Sequence, residues 1–239
     1  MPSPNTFLFI MPLKHHLNYS SCVMDRVIAR YGSGKRIVRL VGDEANPDSI
    51  DEAIRLYDPL FVWGTGHGLQ GLYTVECTQK YLWVGSPRVE LFKGRIVHLN
   101  SCLTGRQLGP HLVSSGAEAF LGSMDTFYLF VGSPPCSDRA SMSVFLAEHQ
   151  AEVALLQGRS VGEAHRARLD AYDREIDYWV TGEGKNSPYA PLIARILEID
   201  RMIAVLYGKG GVRATQPAYI PISLVSGIVG LGLTVIATR

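Results

Sequence analysis

Hydrophobic residues in this chain fall into short, compact runs separated by longer amphipathic stretches. Residues 6–11, 37–41, 60–63, 96–99 and 117–124 are apolar runs of strand length, several of them bounded by glycine, as buried parallel strands are. Between them the apolar positions space out at helical intervals. Over 19–31, Val23, Val27, Ile28 and Tyr31 share one face, and Gly32-Ser-Gly34 ends the pattern. Over 48–57, behind Pro47, the residues Ile50, Ala53, Ile54 and Tyr57 do the same, and 105–115 predicts another helix. Strand and helix alternate, which predicts an α/β fold: a three-layer sandwich around a mostly parallel central sheet. Residues 68–92 interrupt the alternation. Their β-prone pieces, 72–76 and 79–84, predict a small hairpin over the sheet edge. Beyond Ser137 the chain turns helical, over 142–156 and 161–179 with Gly158 between them, and then over 191–207. These elements assign 1–207 to one domain and 208–217 to a linker.

The last segment differs in kind. Residues 218–237 carry no charge over 20 positions, about the ~20 needed to cross a ~30 Å hydrocarbon core. Lys209 and Arg213 precede them. The pattern predicts a C-terminal transmembrane tail anchor with the domain in the cytoplasm. The alternative is a buried strand–turn–strand element in a soluble cytoplasmic protein, since Pro221, Gly227, Gly230 and Gly232 weaken a helix in water.

Composition narrows the function. With 46% hydrophobic residues the chain is a folding sequence, and 23 Lys+Arg against 22 Asp+Glu leave nothing to attract nucleic acid. The four cysteines, Cys22, Cys77, Cys102 and Cys136, form no C-x-x-C pair and have no histidine at a zinc spacing. They read as thiols of a reducing compartment, with no metal and no cofactor. Cys22, Cys77 and Cys136 read as structural, as does His98 within its strand.

Two strand ends carry reactive groups. Pro59-Leu-Phe-Val-Trp-Gly-Thr-Gly leads into His67-Gly68, and Arg95-Ile-Val-His-Leu-Asn-Ser leads into Cys102. If the two strands are parallel neighbours, imidazole and thiol emerge together at the carboxyl edge, where open α/β sheets place their chemistry. The glycines around His67 allow close approach of a substrate, and the Gly68 N–H is placed to receive an oxyanion. Two rival motifs fall short. Gly66-x-Gly68-x-x-Gly71 matches a dinucleotide fingerprint by letter, but β-prone residues follow it where a helix is required. Gly32-Ser-Gly34-Lys35 has Arg36 where a phosphate loop needs Ser or Thr.

Strand–Gly-His67-Gly, a β-rich insert, then strand–Ser-Cys102 and a helix resembles the caspase-like cysteine peptidases of clan CD, which include gingipains, separase and CHAT domains. The residues from Leu108 to Ser123 and from Gly158 to Ala164 are similar to the elements that follow the cysteine in gingipain and CHAT sequences. The resemblance implies a cysteine endopeptidase in which His67 is the acid/base and Cys102 the nucleophile. The N–H groups of Gly68 and Cys102 would form the oxyanion hole, and Gly66 and Ser101 would line the substrate channel. It further implies a charged or polar residue before the cut. Asp125, after the fifth strand, would pair with a basic residue; Lys14, after the first, with an acidic one; the basic choice is favoured. His15 and His16 stand by the same mouth. Sheet edges often pair in that clan, so an oligomer is compatible. A catalytically inactive membrane scaffold of the same fold is the alternative function, and a nucleotide-dependent oxidoreductase the third.

Overall fold

The computed structural model describes residues 1–76 and 79–215. Cys77 and the anchor expected at 218–237 lie outside them, and among the described residues no helix is long and apolar enough to cross a membrane.

The expected alternation folds into strand β1 (Ser3–Met11), helix α1 (Leu17–Tyr31), β2 (Arg36–Val41), α2 (Pro47–Tyr57) and β3 (Pro59–Thr65). A small antiparallel sheet follows, made of β4 (His67–Leu69), β5 (Leu72–Thr74) and β6 (Lys80–Trp83). The main sheet resumes with β7 (Ile96–Asn100), α3 (Leu108–Ser114) and β8 (Ala119–Ser123). Four helices complete it, α4 (Arg139–Glu148), α5 (Gln150–Leu156), α6 (Val161–Val180) and α7 (Ala190–Ile203), ahead of a last strand β9 (Ala204–Gly208). The order is β2-β1-β3-β7-β8-β9. All pairings are parallel except β8 with β9.

Alternation within each strand builds the three layers. Along β1, Phe7, Phe9 and Met11 join Trp63 and Leu121 under α1, α5 and α6, while Leu8 and Ile10 face Ile50, Ile54 and the small sheet's Tyr73 and Tyr81. Both faces are covered, as a parallel sheet requires. Arg95 fastens the base of this arrangement: its guanidinium donates to the carbonyls of Leu91 and Pro59 and to Asp58 Oδ1, each at 2.7 Å, so β7 starts beside the start of β3.

Three expectations need correction. The helix expected over 191–207 ends at Ile203, and the next five residues form the antiparallel edge strand β9. Ala204-Val-Leu-Tyr is as apolar as a helix face, so spacing alone does not separate the two states. Residues 209–215, read as linker, run on along the domain: the Lys209 N–H donates to Glu118 O and Ala214 is buried. Cys22 and Cys136, read as unpaired structural thiols, form a disulfide between α1 and the segment before α4, with Cα atoms 6.2 Å apart.

His98 is indeed a core residue, but a charged one. The single helix expected over 142–156 bends at His149, and Glu148 and Glu152 on either side of the bend reach both ring nitrogens of His98, at 3.0 and 2.5 Å. Glu148 accepts from Arg168 at 2.9 Å and from the Tyr172 hydroxyl at 2.7 Å. Burial pushes the imidazole toward neutrality, yet the two carboxylates outweigh it and raise His98 to about 9. Burial likewise opposes both carboxylates; His98 outweighs it for Glu152, lowered to about 2, and Arg168 with His98 hold Glu148 below the usual range. With His98 protonated the cluster has two positive and two negative charges.

Breaking such a buried set should cost about 3–5 kcal/mol, so Glu148→Gln is expected to lower the free energy of unfolding in urea by that amount. His98 is raised above its ordinary 6.5, so its contribution is whole below that pH and fades as pH rises to about 9. Glu152 is depressed from 4.5, so its share is whole above that value and fades as pH falls toward 2. Urea midpoints across pH should therefore decline on both sides of 4.5–6.5, the alkaline decline being absent from His98→Leu. The disulfide closes a loop of 114 residues, and removing it by Cys22→Ala should cost about 2–4 kcal/mol; alkylation without reductant should leave Cys22 and Cys136 unmodified.

Candidate active site

The register between β3 and β7 builds the site. Trp63 lies opposite His98 and Thr65 opposite Asn100, so the two strands end level. His67 and Cys102 each stand two residues past those ends. Both line one cleft of about 40 Å³, together with Gly66, Ser101, Ser20 and Asn100. His16, at the start of α1, closes the near side, its ring edge-on to His67 with centroids 5.0 Å apart. Phe127, Leu129 and Phe145 close the far side.

The electrostatics leave both reactive groups neutral near pH 7. Burial pushes His67 below the ordinary histidine range, and His16 and His15 add to it. Burial pushes the Cys102 thiol up; Asp200 and Asp125 add to that, against N–H groups of Phe127 and of Cys102 itself. The Phe127 N–H donates to Sγ at 3.4 Å. A neutral imidazole and a neutral thiol lining one cleft do not form an ion pair.

Gly68 packs directly on the cysteine loop. A Cβ at that position would collide with the Cys102 carbonyl oxygen and sit 2.8 Å from Ser101 Oγ, so only glycine brings β4 this close. Among the described residues the buried Ser101 hydroxyl has no hydrogen-bond partner, and the Cys102 N–H donates to no backbone carbonyl. The Ser101 hydroxyl thus remains for a ligand. Gly66 has the same character against the Thr74 carbonyl and the Tyr73 ring. The dinucleotide-like glycines thus lie in an antiparallel hairpin, with no helix behind them.

Neither residue named for substrate charge lines the cleft. Lys14 is paired with Glu76 at 2.8 Å and with Asp43 at 3.5 Å. Asp125 is paired with Arg106 at 2.6 Å and accepts the Thr126 N–H at 2.8 Å. Both charges are already answered by protein partners.

The chain folds like a gingipain. Its architecture is similar to that of a chain in the solved complex of the pro- and mature domains of Porphyromonas gingivalis RgpB, with a TM-score of 0.52 and 11% identity. The match covers 87% of this chain and 48% of the other, so this chain spans about half that one's length. No family model matches the sequence, and no curated protein matches it significantly. The likeness is one of fold, and at that level it agrees with the caspase-like expectation.

Sequence reasoning missed the cleft floor. Asn100 Nδ2 donates to Ser20 Oγ at 3.0 Å, and Ser20 Oγ meets His149 Nε2 at 3.1 Å. Nothing in the pattern around Ser20, on an amphipathic helix, marks it. Asn100 had a usable signal, a polar residue ending an apolar run just before Ser-Cys. Among the described residues no group of three or more His, Cys, Asp or Glu is arranged to hold a metal ion.

The raised thiol has a measurable consequence. Iodoacetamide alkylation of Cys102, followed by peptide mapping across pH, should reach its midpoint above the ~8.5 of an ordinary cysteine. A midpoint below neutrality would mean an ion pair in place of the neutral couple.

Proposed function

We propose that this protein is a cysteine endopeptidase working through His67 and Cys102. One observation carries the reading: the level ends of β3 and β7 direct an imidazole and a thiol into the same cleft. As the Cys102 sulfur attacks the scissile carbonyl carbon, neutral His67 takes the thiol proton. The carbonyl oxygen gains the negative charge and is received by the N–H groups of Gly68 and Cys102, donors of a kind each worth about 10²–10³ in rate. The C–N bond then breaks as His67 gives its proton to the leaving amine. Water, deprotonated by the same imidazole, attacks the thioester and releases the acid and the free thiol.

The substrate is a protein or peptide with a basic residue before the cut. The closed ion pairs of Lys14 favour this over an acidic residue, because Lys14 would have to leave two carboxylates to serve one. Attachment to a membrane through 218–237 belongs to the same proposal and rests on hydropathy alone, while the Cys22–Cys136 disulfide weighs against the cytoplasmic side first expected for the domain. The second reading, an inactive scaffold, draws on the small cleft and on the raised thiol.

Cleavage of a peptide library should separate the two. Cys102→Ala and His67→Ala are each expected to lower kcat/KM by about 10³-fold or more, from loss of the nucleophile or of its acid/base. Undiminished cleavage by Cys102→Ala would rule out the dyad, and a biological output indifferent to that substitution would favour the scaffold.

A further inference from the structure

The disulfide between Cys22 and Cys136 takes part in no step of the proposed reaction, yet it joins the two sides of the cleft. Cys22 lies on α1, the helix that presents His16 and Ser20 to the near side. Cys136 lies in the segment between β8 and α4, whose Phe127 and Leu129 line the far side. From 126 to 138 that segment contains neither helix nor strand, so point contacts hold it in place of a hydrogen-bonded ladder. Three of those contacts come from one stripe of α1. Tyr19, Cys22 and Arg26 follow one another at helical spacing and share a face. The Tyr19 hydroxyl donates to the Ser133 carbonyl at 2.6 Å, Cys22 is bonded to Cys136, and the Arg26 guanidinium donates to the Cys136 carbonyl at 3.0 Å. Of the three, only the disulfide is covalent.

This tie is accessible. Both cysteines are partly exposed, and exposed disulfides are the ones that exchange with external thiols. Cys136 is also held at φ +58°, in the left-handed region that residues other than glycine avoid unless their surroundings fix them there. At about 40 Å³ the cleft takes a water-sized group and no peptide side chain, so a peptide reaches Cys102 only when one wall gives. Met24 and Val27 of α1 are packed into the core with Phe9 and Trp63. The far segment is therefore the wall that yields.

Resting on the peptidase reading above, we infer that the Cys22–Cys136 disulfide is a redox strap that holds the far wall over Cys102 and is released by a dithiol. One thiolate of the dithiol attacks a sulfur of the strap, forming a mixed disulfide and expelling the other cysteine as thiolate. The second thiol of the dithiol then displaces the first cysteine. Two free cysteines and a cyclic, oxidised dithiol result, with two electrons and two protons passed to the protein. Freed of its covalent tie, 126–136 moves off the cleft and the peptide enters. The peptidase is silent where disulfides persist and competent where dithiols prevail.

The test uses the full chain, either oxidised or reduced with dithiothreitol and desalted, with labelling rates at Cys102 read by peptide mapping. A maleimide carried on a peptide reports access, and a peptidyl acyloxymethyl ketone with Arg before the reactive group reports catalysis. Iodoacetamide is the small reference, since the thiol is partly exposed already. Reduction should speed both peptide reagents by about tenfold or more and iodoacetamide by less than about threefold, as expected when a covalent tie is removed from a locally opening segment. Reoxidation should restore the slow rates. Cys22→Ala combined with Cys136→Ala should match the reduced chain under oxidising conditions. Tyr19→Phe, which keeps the disulfide, should speed the peptide maleimide by about threefold, the worth of one hydrogen bond. Equal gains for large and small reagents, no gain on reduction or in Tyr19→Phe, or a gain that reoxidation does not reverse overturns the strap. If the peptide maleimide gains on reduction while the ketone labels neither form, the strap stands and the peptidase reading falls.

Discussion

The parallel pairing of β3 with β7 is the constraint on which the site depends. A strand turns its side chains alternately to opposite faces, so a slip of one residue would reverse every contact along it. With Trp63 opposite His98 and Thr65 opposite Asn100, the two chains leave the sheet together. Hydrophobic burial on both faces holds that register in the middle, and Arg95 holds it at the base. Gly68 then seals the top, because the bare backbone of β4 can rest on the Cys102 carbonyl.

A second constraint lies beneath the same strand. His98, opposite Trp63, sits fully buried among Glu148, Glu152 and Arg168. Buried ion sets of this kind stabilise little against an apolar replacement, but they are severe about geometry, since any missing partner strands a charge. This one joins β7 to α4, α5 and α6. His149 continues the polar path toward the cleft, lying 3.5 Å from Glu152 and 3.1 Å from Ser20 Oγ. The floor of the cleft is therefore tied to the helical layer by polar contacts.

The far wall is held differently. Between β8 and α4 the chain has no regular structure, and it is fastened at points: Phe127 on the thiol, Tyr128 on Asp200, Tyr19 on the Ser133 carbonyl, and Cys136 on Cys22. Tyr19 and Cys22 belong to the helix that also presents His16 and Ser20. Both walls of the cleft thus hang from α1, and the single segment between Asp125 and Val131 separates the thiol from the buried carboxyl of Asp200.

Local pattern determined the layered α/β architecture, the strands and helices through 124, and the two strand ends that bear His67 and Cys102. Those features are written in periodicity, glycine placement and motif order, which act over a few residues. The tertiary structure alone decided the rest. Whether 204–208 is helix or strand depends on the free edge of β8; whether His98 is neutral or charged depends on carboxylates 50 and 54 residues away. The pairing of Cys22 with Cys136 and the engagement of Lys14 and Asp125 by ion partners rest on contacts between distant segments. Spacing along a chain records which face a residue takes, but charge pairing and cross-linking are set by what the opposing face brings within a few ångströms.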